Sequence, residues 1–457
     1  MFSIIYIFVY IMFQYIQEKY NYYINLFFKK EESLIMINNN IYNLSSYKHP
    51  GGSIILDAIN NDATTIFYST HPKYVWDLIE TSSFKNRFQV SSKQGNKDPH
   101  LFDDKFYIEC KNYIQDYLIK RKKKYGFYFD TMIIFLWTST WLSLSILSYL
   151  NMLFNNGDTY SSIILGITWS MCIFNTMHNS MHGALFNNIT PVKLFLDNIY
   201  TIFSGSSVSR WIDHHNFKHH AYTNTIKDPD KHTTPILKLH PLQQNKWWYR
   251  YQSFYFPILA CINTLSNQFN HILYMKKEAM VSKKGHLRDI RLYNYYFSLC
   301  LWILLAYLIP LYKIGFPYAI SSSLIFQISG SFWATYNIVI NHIFEGVNIS
   351  NHVNHSFAQK QVLSSCNHST GSMLATFLTG GLNHQIEHHM FPSLAIHHYP
   401  LIAKDIQKIC KKYNLEYNSK NILSLIKSMH LTLNLYGNCN TNSKLPDLGD
   451  YDSLMDH

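Results

Sequence analysis

The chain has 457 residues, of which 47% are hydrophobic, 16% aromatic and only 15% charged, with a formal net charge of +11. An average soluble chain carries roughly 25% charged residues, so this balance, with long apolar blocks, points away from a soluble domain and toward a membrane protein. No nucleic-acid fold signature accompanies the basic excess, which is read instead as lysine and arginine flanking apolar spans on their cytoplasmic side. The seven cysteines are scattered without a CxxC pair, so neither a disulfide framework nor a cysteine zinc site is expected, which suits a reducing compartment. Histidine, by contrast, occurs 24 times and is clustered.

In chain order, residues 2–13 are apolar but short for a bilayer span, and they lack the basic start and small-residue cleavage site of a signal peptide. They fit an interfacial or core segment, or an oddity of the translated start. From Ile35 to Val90 the character changes. Ile35–Ile37 and Ile41–Leu44 flank three asparagines, which predicts a hairpin. Next comes Tyr47-Lys48-His49-Pro50-Gly51-Gly52, where the glycines permit close backbone approach around His49. A second isolated histidine follows at position 71. Two histidines on separate short elements can hold a six-coordinate heme suited to electron transfer. A surface turn with two unrelated histidines fits the spacing equally well. His-Pro-Gly-Gly with a lone histidine some twenty residues on resembles the cytochrome b5 heme domain over residues 33–95. That resemblance implies heme b held by His49 and His71. Residues 91–98 read as a polar linker.

Lys120 to Lys124 form a basic run ahead of an apolar stretch at 129–153, and a second stretch at 160–177 returns the chain to the same side. Two more stretches, 293–312 and 316–340, form a second hairpin that also enters from a basic side. The expectation is four spans with both termini in the cytosol. The first histidine cluster, His178 and His182, closes the second stretch with i, i+4 spacing, a two-ligand metal geometry when helical. The second is His214-His215-Asn216-Phe217-Lys218-His219-His220, in which His215 and His219 share a face with His220 beside it. His342 follows the fourth stretch directly. The third cluster, Gly380 to Pro392, places Gln385, His388 and His389 within one helical turn. All lie at cytosolic ends or in cytosolic segments, so they can meet at one site. Imidazole alone indicates a transition metal without saying which. Eight histidines exceed what one four-coordinate zinc needs, and two metals with an open position fit better, an arrangement suited to oxygen activation when the metal is iron.

HxxxH, HxxxHH and QxxHH in that order, with Asp228-Pro229-Asp230, residues 341–346 and 361–367, and a heme domain ahead, resemble the front-end fatty acid desaturases over residues 33–420. The middle cluster is more similar to delta-5 or delta-4 members than to delta-6. The resemblance implies a small α+β cytochrome b5-like domain followed by an all-α membrane desaturase domain with four transmembrane helices and a cytosolic histidine-rich cap. It divides the chain into an uncertain segment (1–32), the heme domain (33–95), a linker with a basic pre-membrane segment (96–124), the desaturase domain (125–420) and a tail (421–457). It implies two iron ions on His178, His182, His215, His219, His220, His342, His388 and His389, with molecular oxygen as co-substrate. Gln385 either binds metal or orients a ligand or water. The implied partners are a fatty acyl substrate carried on CoA or phospholipid, NADH-cytochrome b5 reductase and membrane lipid, with no nucleic acid; the implied location is the endoplasmic reticulum membrane. A sphingolipid long-chain-base desaturase shares these features. A membrane-anchored electron carrier with an inactive metal site is the reading from another class. His214 and His384 are placed just behind the ligands, whereas His232, His240, His271, His286, His352, His355, His368, His397 and His398 are expected to be solvated. Ile402, Ile406 and Ile409 predict a helix over 400–417, either capping the cytosolic domain or peripheral to it.

Overall fold

A computed structural model describes residues 33–439, apart from 48, 51–54, 56–57, 93–101, 103, 186–189, 226, 232–235, 242, 282–285 and 348–354. The expectations for residues 1–32, the glycine pair after Pro50, His232 and His352 therefore fall outside the described residues.

The predicted hairpin is present. Strands β1 (Leu34–Ile37) and β2 (Asn40–Asn43) pair antiparallel around Asn38 and Asn39. Both turn residues have positive φ (51° and 64°), the twist that a two-residue hairpin needs and that asparagine tolerates. Strand β3 (Gln89–Ser92) adds to β2, extending the sheet into the expected linker. Helices α1 (Thr64–Thr70), α2 (Lys73–Glu80) and α3 (Ser82–Phe88) complete this unit. Helix α4 (Lys105–Tyr125) follows, with Asp104 capping its N-terminus. Its residues Phe106, Tyr107, Cys110, Lys111 and Ile114 are buried, so the segment read as a basic linker is a wedge between the small unit and the rest of the chain.

The remainder is helical. Helix α5 (Phe129–Phe154) exposes Phe135, Leu136, Ile146 and Leu147, an apolar face suited to lipid. It turns through Asn156 and Gly157, and Asp158 caps α6 (Thr159–Cys172). The axis of α6 continues through a π-helical turn, Ile173–His178, to Met181. Helix α7 (Thr190–Ser204) leads to a second π-helical turn, Ile212–His219. Helix α8 (Gln252–Val281), the helical segment Leu292–Ile314 and α9 (Tyr318–Val339) follow.

Among the described residues, only Phe129–Phe154 and Leu292–Ile314 are both long and apolar enough to cross a membrane as judged by length and composition, against the four spans expected. The other two stretches are helical, but α6 and α9 carry serine, threonine, glycine and glutamine on the faces they turn toward each other. There Gly166 and Gly330 let the two backbones touch: a Cβ on Gly166 would lie 2.1 Å from the Phe326 carbonyl oxygen. Small residues of this kind bring helices together by close packing.

Helix α10 (Gln385–Met390) carries the third cluster, and α11 (Tyr399–Lys412) buries Ile402 and Ile406 as its periodicity predicts, with Cys410 rather than the half-buried Ile409 as the next position inward. The tail assigned from residue 421 instead begins with α12 (Ile422–Asn438), whose Leu425, Met429 and Leu433 join a core with Phe256 and Phe344.

Candidate metal centre and heme site

The predicted metal ligands arrive from four separate segments. Residues 173–178 and 212–219 are wound as π-helix, a geometry that often marks functional sites. The wider turn lets residues five apart share a face as well as those four apart. His215 therefore meets both His219 (ring centres 5.3 Å, stacked) and His220 (4.7 Å). The Gly380-Gly381 turn, with φ of 65° and 83°, sets α10 against the first π-turn. A Cβ at Gly380 would fall 2.4 Å from Phe174 Cβ, so only glycine allows this approach.

The result is two adjoining donor groups. One contains His178, His182, His215 and His388; the other contains His219, His342 and His389, with His220 between them. Within the first, the Nε2 atoms of His178 and His182 each lie 3.1 Å from His215 Nε2. Within the second, His389 Nε2 and Gln385 Nε2 lie 3.2 and 3.0 Å from His342 Nε2. Imidazole nitrogens bound at about 2.0–2.1 Å to one metal sit about 2.9–3.4 Å apart, so the imidazole–imidazole contacts match edges of coordination polyhedra. His388 Nε2 and Gln385 Oε1 are buried and have no hydrogen-bond partner, as expected of donors facing a metal rather than protein. All eight histidines and Gln385 are buried. Burial, reinforced by mutual repulsion, pushes His215, His220, His388 and His389 well below the ordinary imidazole range, keeping them neutral as metal ligands must be.

Behind these donors lies a second layer that the motifs alone did not assign. His219 Nδ1 donates toward Asp228 (3.1 Å) and Asp230 (3.2 Å). Burial alone would lower His219; the two carboxylates outweigh it and the net shift is upward. Asp230 also pairs with His214 Nε2 at 2.5 Å, so His214 acts through that carboxylate. His389 Nδ1 donates to Gln361 Oε1 (2.9 Å), and His342 Nδ1 to the Ser364 carbonyl (3.3 Å). These bonds fix each ring's tautomer, leaving Nε2 for the metal. Glu387 points away from the donors and accepts from Tyr417 (2.6 Å) and Asn367 (2.7 Å), orienting α10; burial pushes its carboxyl up to about 7.

The remaining histidines divide differently from expectation. His384 bonds Gly371 N–H (2.9 Å) and Thr376, holding a turn rather than supporting a ligand. His240, His271, His368, His397 and His398 are buried, not solvated. Protein partners replace water for several of them: Ser207 N–H for His271, Asp130 for His397, Tyr117 for His398.

In the small unit, the His49 and His71 rings face each other with centres 5.8 Å apart. Two imidazoles on opposite sides of one metal, each at about 2.0–2.1 Å, hold their ring centres about 6 Å apart. His71 Nδ1 donates to the Phe67 carbonyl (3.0 Å), leaving Nε2 as the free donor. This pair fits an axially ligated heme iron.

A slot lies between the facing sides of α6 and α9, lined by Met177, Trp211, Ile338, Trp169, Phe203, Phe326 and Gly166 among others. Trp211 stacks on His215 at 4.8 Å, joining slot to donors.

A multi-histidine site able to hold metal, in one chain with a histidine-pair heme unit, is the class this arrangement defines. The fatty acid desaturase family matches residues 159–421, and the cytochrome b5-like heme/steroid binding domain matches residues 18–119. The chain belongs to the fatty acid desaturase family and is an oxidoreductase. It is 26% identical over 423 residues to acyl-lipid (8-3)-desaturase B of Dictyostelium discoideum, covering 86% of this chain and 88% of that protein. Similarity extends to delta(5) fatty acid desaturase A of the same organism (24%; 84% and 86% covered) and to an acyl-lipid (8-3)-desaturase of Mortierella alpina (22%; 88% and 93% covered).

Proposed function

We propose that the chain is a front-end acyl desaturase of delta-5 type, placing a double bond between the carboxyl end and an existing double bond of a polyunsaturated chain. The observation that carries this reading is the pair of donor groups beside a slot lined mostly by apolar side chains. From Met177 to Gly166 the slot follows α6 for roughly 16 Å at 1.5 Å per residue. That length suits the apolar part of a fatty acyl chain. The names of the delta(5) and (8-3) relatives support the delta-5 position.

His178, His182, His215 and His388 would hold one iron, His219, His342 and His389 the other, with His220 between them and Gln385 at the second. Bound there, iron supplies the oxygen chemistry that removes hydrogen from an unactivated CH2. The protein's part is to fix the donors, keep them neutral, align the chain past Trp211 and exclude water. His49 and His71 would hold the heme that delivers electrons from a reductase. Both hairpins enter from the basic side, so the heme unit and donors face the cytosol of an endoplasmic reticulum membrane.

The test is expression in yeast fed single polyunsaturated fatty acids, with double bonds located by mass spectrometry. A new bond at carbon five of a C20 chain is expected. Altered long-chain bases with unchanged acyl chains would overturn the fatty acyl reading.

A further inference from the structure

The small heme unit and the metal centre are not joined by a loose tether. Helix α1, which ends at His71, packs against the segment 212–222 that carries His215, His219 and His220. Its C-terminal carbonyls are held by α4, by Trp76 and by Ser393 of the larger domain. Tyr107 on α4 donates its hydroxyl to the Met390 carbonyl (3.1 Å), one residue past His389, and reaches the Ser69 carbonyl at 3.5 Å. Lys111, one turn further on, donates to the carbonyls of Ser69 (3.0 Å) and His71 (2.9 Å). Ser393 donates to the Thr70 carbonyl (3.3 Å), and Trp76 Nε1 to the His71 carbonyl (3.0 Å). Around these bonds Phe67, Trp76, Phe102, Phe106, Tyr107, Phe357, Phe391 and Tyr399 form one apolar cluster drawn from both domains.

We propose that Tyr107 and Lys111 are positioning residues for electron delivery, clamping the heme-ligand helix onto the metal-ligand helix so that the heme domain works permanently docked. This rests on the heme and iron assignments above. Domains separated by small polar interfaces move by default, whereas a large apolar contact prevents it. Undocking here would also part the buried Tyr107 hydroxyl from the Met390 carbonyl, and buried polar groups are costly to leave unpaired. One bonded link from His71 to His389 runs through the Ser69 carbonyl, the Tyr107 hydroxyl and the Met390 carbonyl. Each transfer oxidises the heme iron by one electron and reduces one metal ion by one electron. Tyr107 stays a neutral phenol, and no proton leaves it.

The experiment uses the full chain with heme and iron loaded. The heme is reduced with stoichiometric dithionite, then mixed with oxygen and acyl substrate in a stopped-flow spectrometer. Amide hydrogen exchange of residues 64–71 and 390–393 is followed in parallel. Tyr107→Phe, which keeps the ring, should slow heme oxidation ~5-fold and raise exchange in 64–71 by a similar factor, the scale of one lost buried hydrogen bond. The Soret spectrum, heme midpoint potential and iron per chain should not change. Lys111→Met, or Ser393→Ala if either other variant fails to fold, should act in the same direction. Wild-type oxidation should be independent of solvent viscosity. A wild-type rate that falls in proportion to viscosity, or unprotected amides in 64–71, would show a shuttling domain and overturn the clamp. Unchanged heme oxidation in both Tyr107→Phe and Lys111→Met would overturn it too. Protected amides with a heme that substrate and oxygen never oxidise would overturn the desaturase reading while upholding the docking.

Discussion

Asp228 offers the sharpest test of the two-metal assignment. Its carboxylate is completely buried and accepts from His219 Nδ1 (3.1 Å) and from the backbone N–H groups of Asn224 (2.7 Å) and Asp230 (3.0 Å). Asp228→Asn keeps the shape but removes the charge that makes His219 a strong donor. It also turns an amide NH2 toward an N–H group. Losing such a carboxylate–histidine partner typically costs 10–100-fold in metal affinity, about 1.4–2.7 kcal/mol. Asp230 also contacts His219, at 3.2 Å, so the lower end of that range is expected for the single variant and the upper end for Asp228→Asn with Asp230→Asn. The loss should fall only on the metal bound by His219, His342 and His389, because among the described residues Asp228 and Asp230 group with His219 and not with the first donor set. Purified protein is dialysed against graded chelator and iron per chain measured by plasma mass spectrometry. Wild type should release two irons over one concentration range, and the variant should release one iron at roughly tenfold less chelator while the other stays. Iron lost in one step, or held as in wild type, would refute the separation into two groups.

His49→Ala should abolish heme absorbance and leave iron per chain intact, and His388→Ala should do the reverse; full desaturation by His388→Ala would refute the ligand assignment. Gly380→Ala adds a Cβ 2.4 Å from Phe174 Cβ at a φ of +65°, and should destabilise by about 1–3 kcal/mol in thermal unfolding. Ala334→Phe, on the slot wall, should raise KM for C20 chains with heme and iron content unchanged, read by product analysis across chain lengths.

The donors were legible because their spacing is local. Two or three residues on one helical turn carry the pattern, whatever the rest of the chain does. Asp228 and Asp230 stood in the sequence as an acidic pair without a role, since nothing local ties them to His219 until the turn at 223–228 folds back. Buried His271, His397 and His398 were misread as solvated because their partners lie 64 to 281 residues away. The wedge role of α4 was hidden for the opposite reason: its five basic residues at 120–124 dominate its composition, while Tyr107 and Lys111 act near its start. The small-residue faces of α6 and α9 lowered their hydropathy, so those spans were visible as apolar stretches but not as a packed pair.

The wide turns at 173–178 and 212–219 behave as one-residue spacers set into otherwise regular coils. Removing a single residue ahead of the histidines would let the coil close to 3.6 residues per turn, which sets His220, five residues on, about 140° around from His215. The helix would survive and its histidines would all still be present, yet half of one ligand set would face away from its partners. Length in these two segments is therefore as strongly constrained as the identity of the histidines, and a shortened form should fold, bind heme and hold little iron.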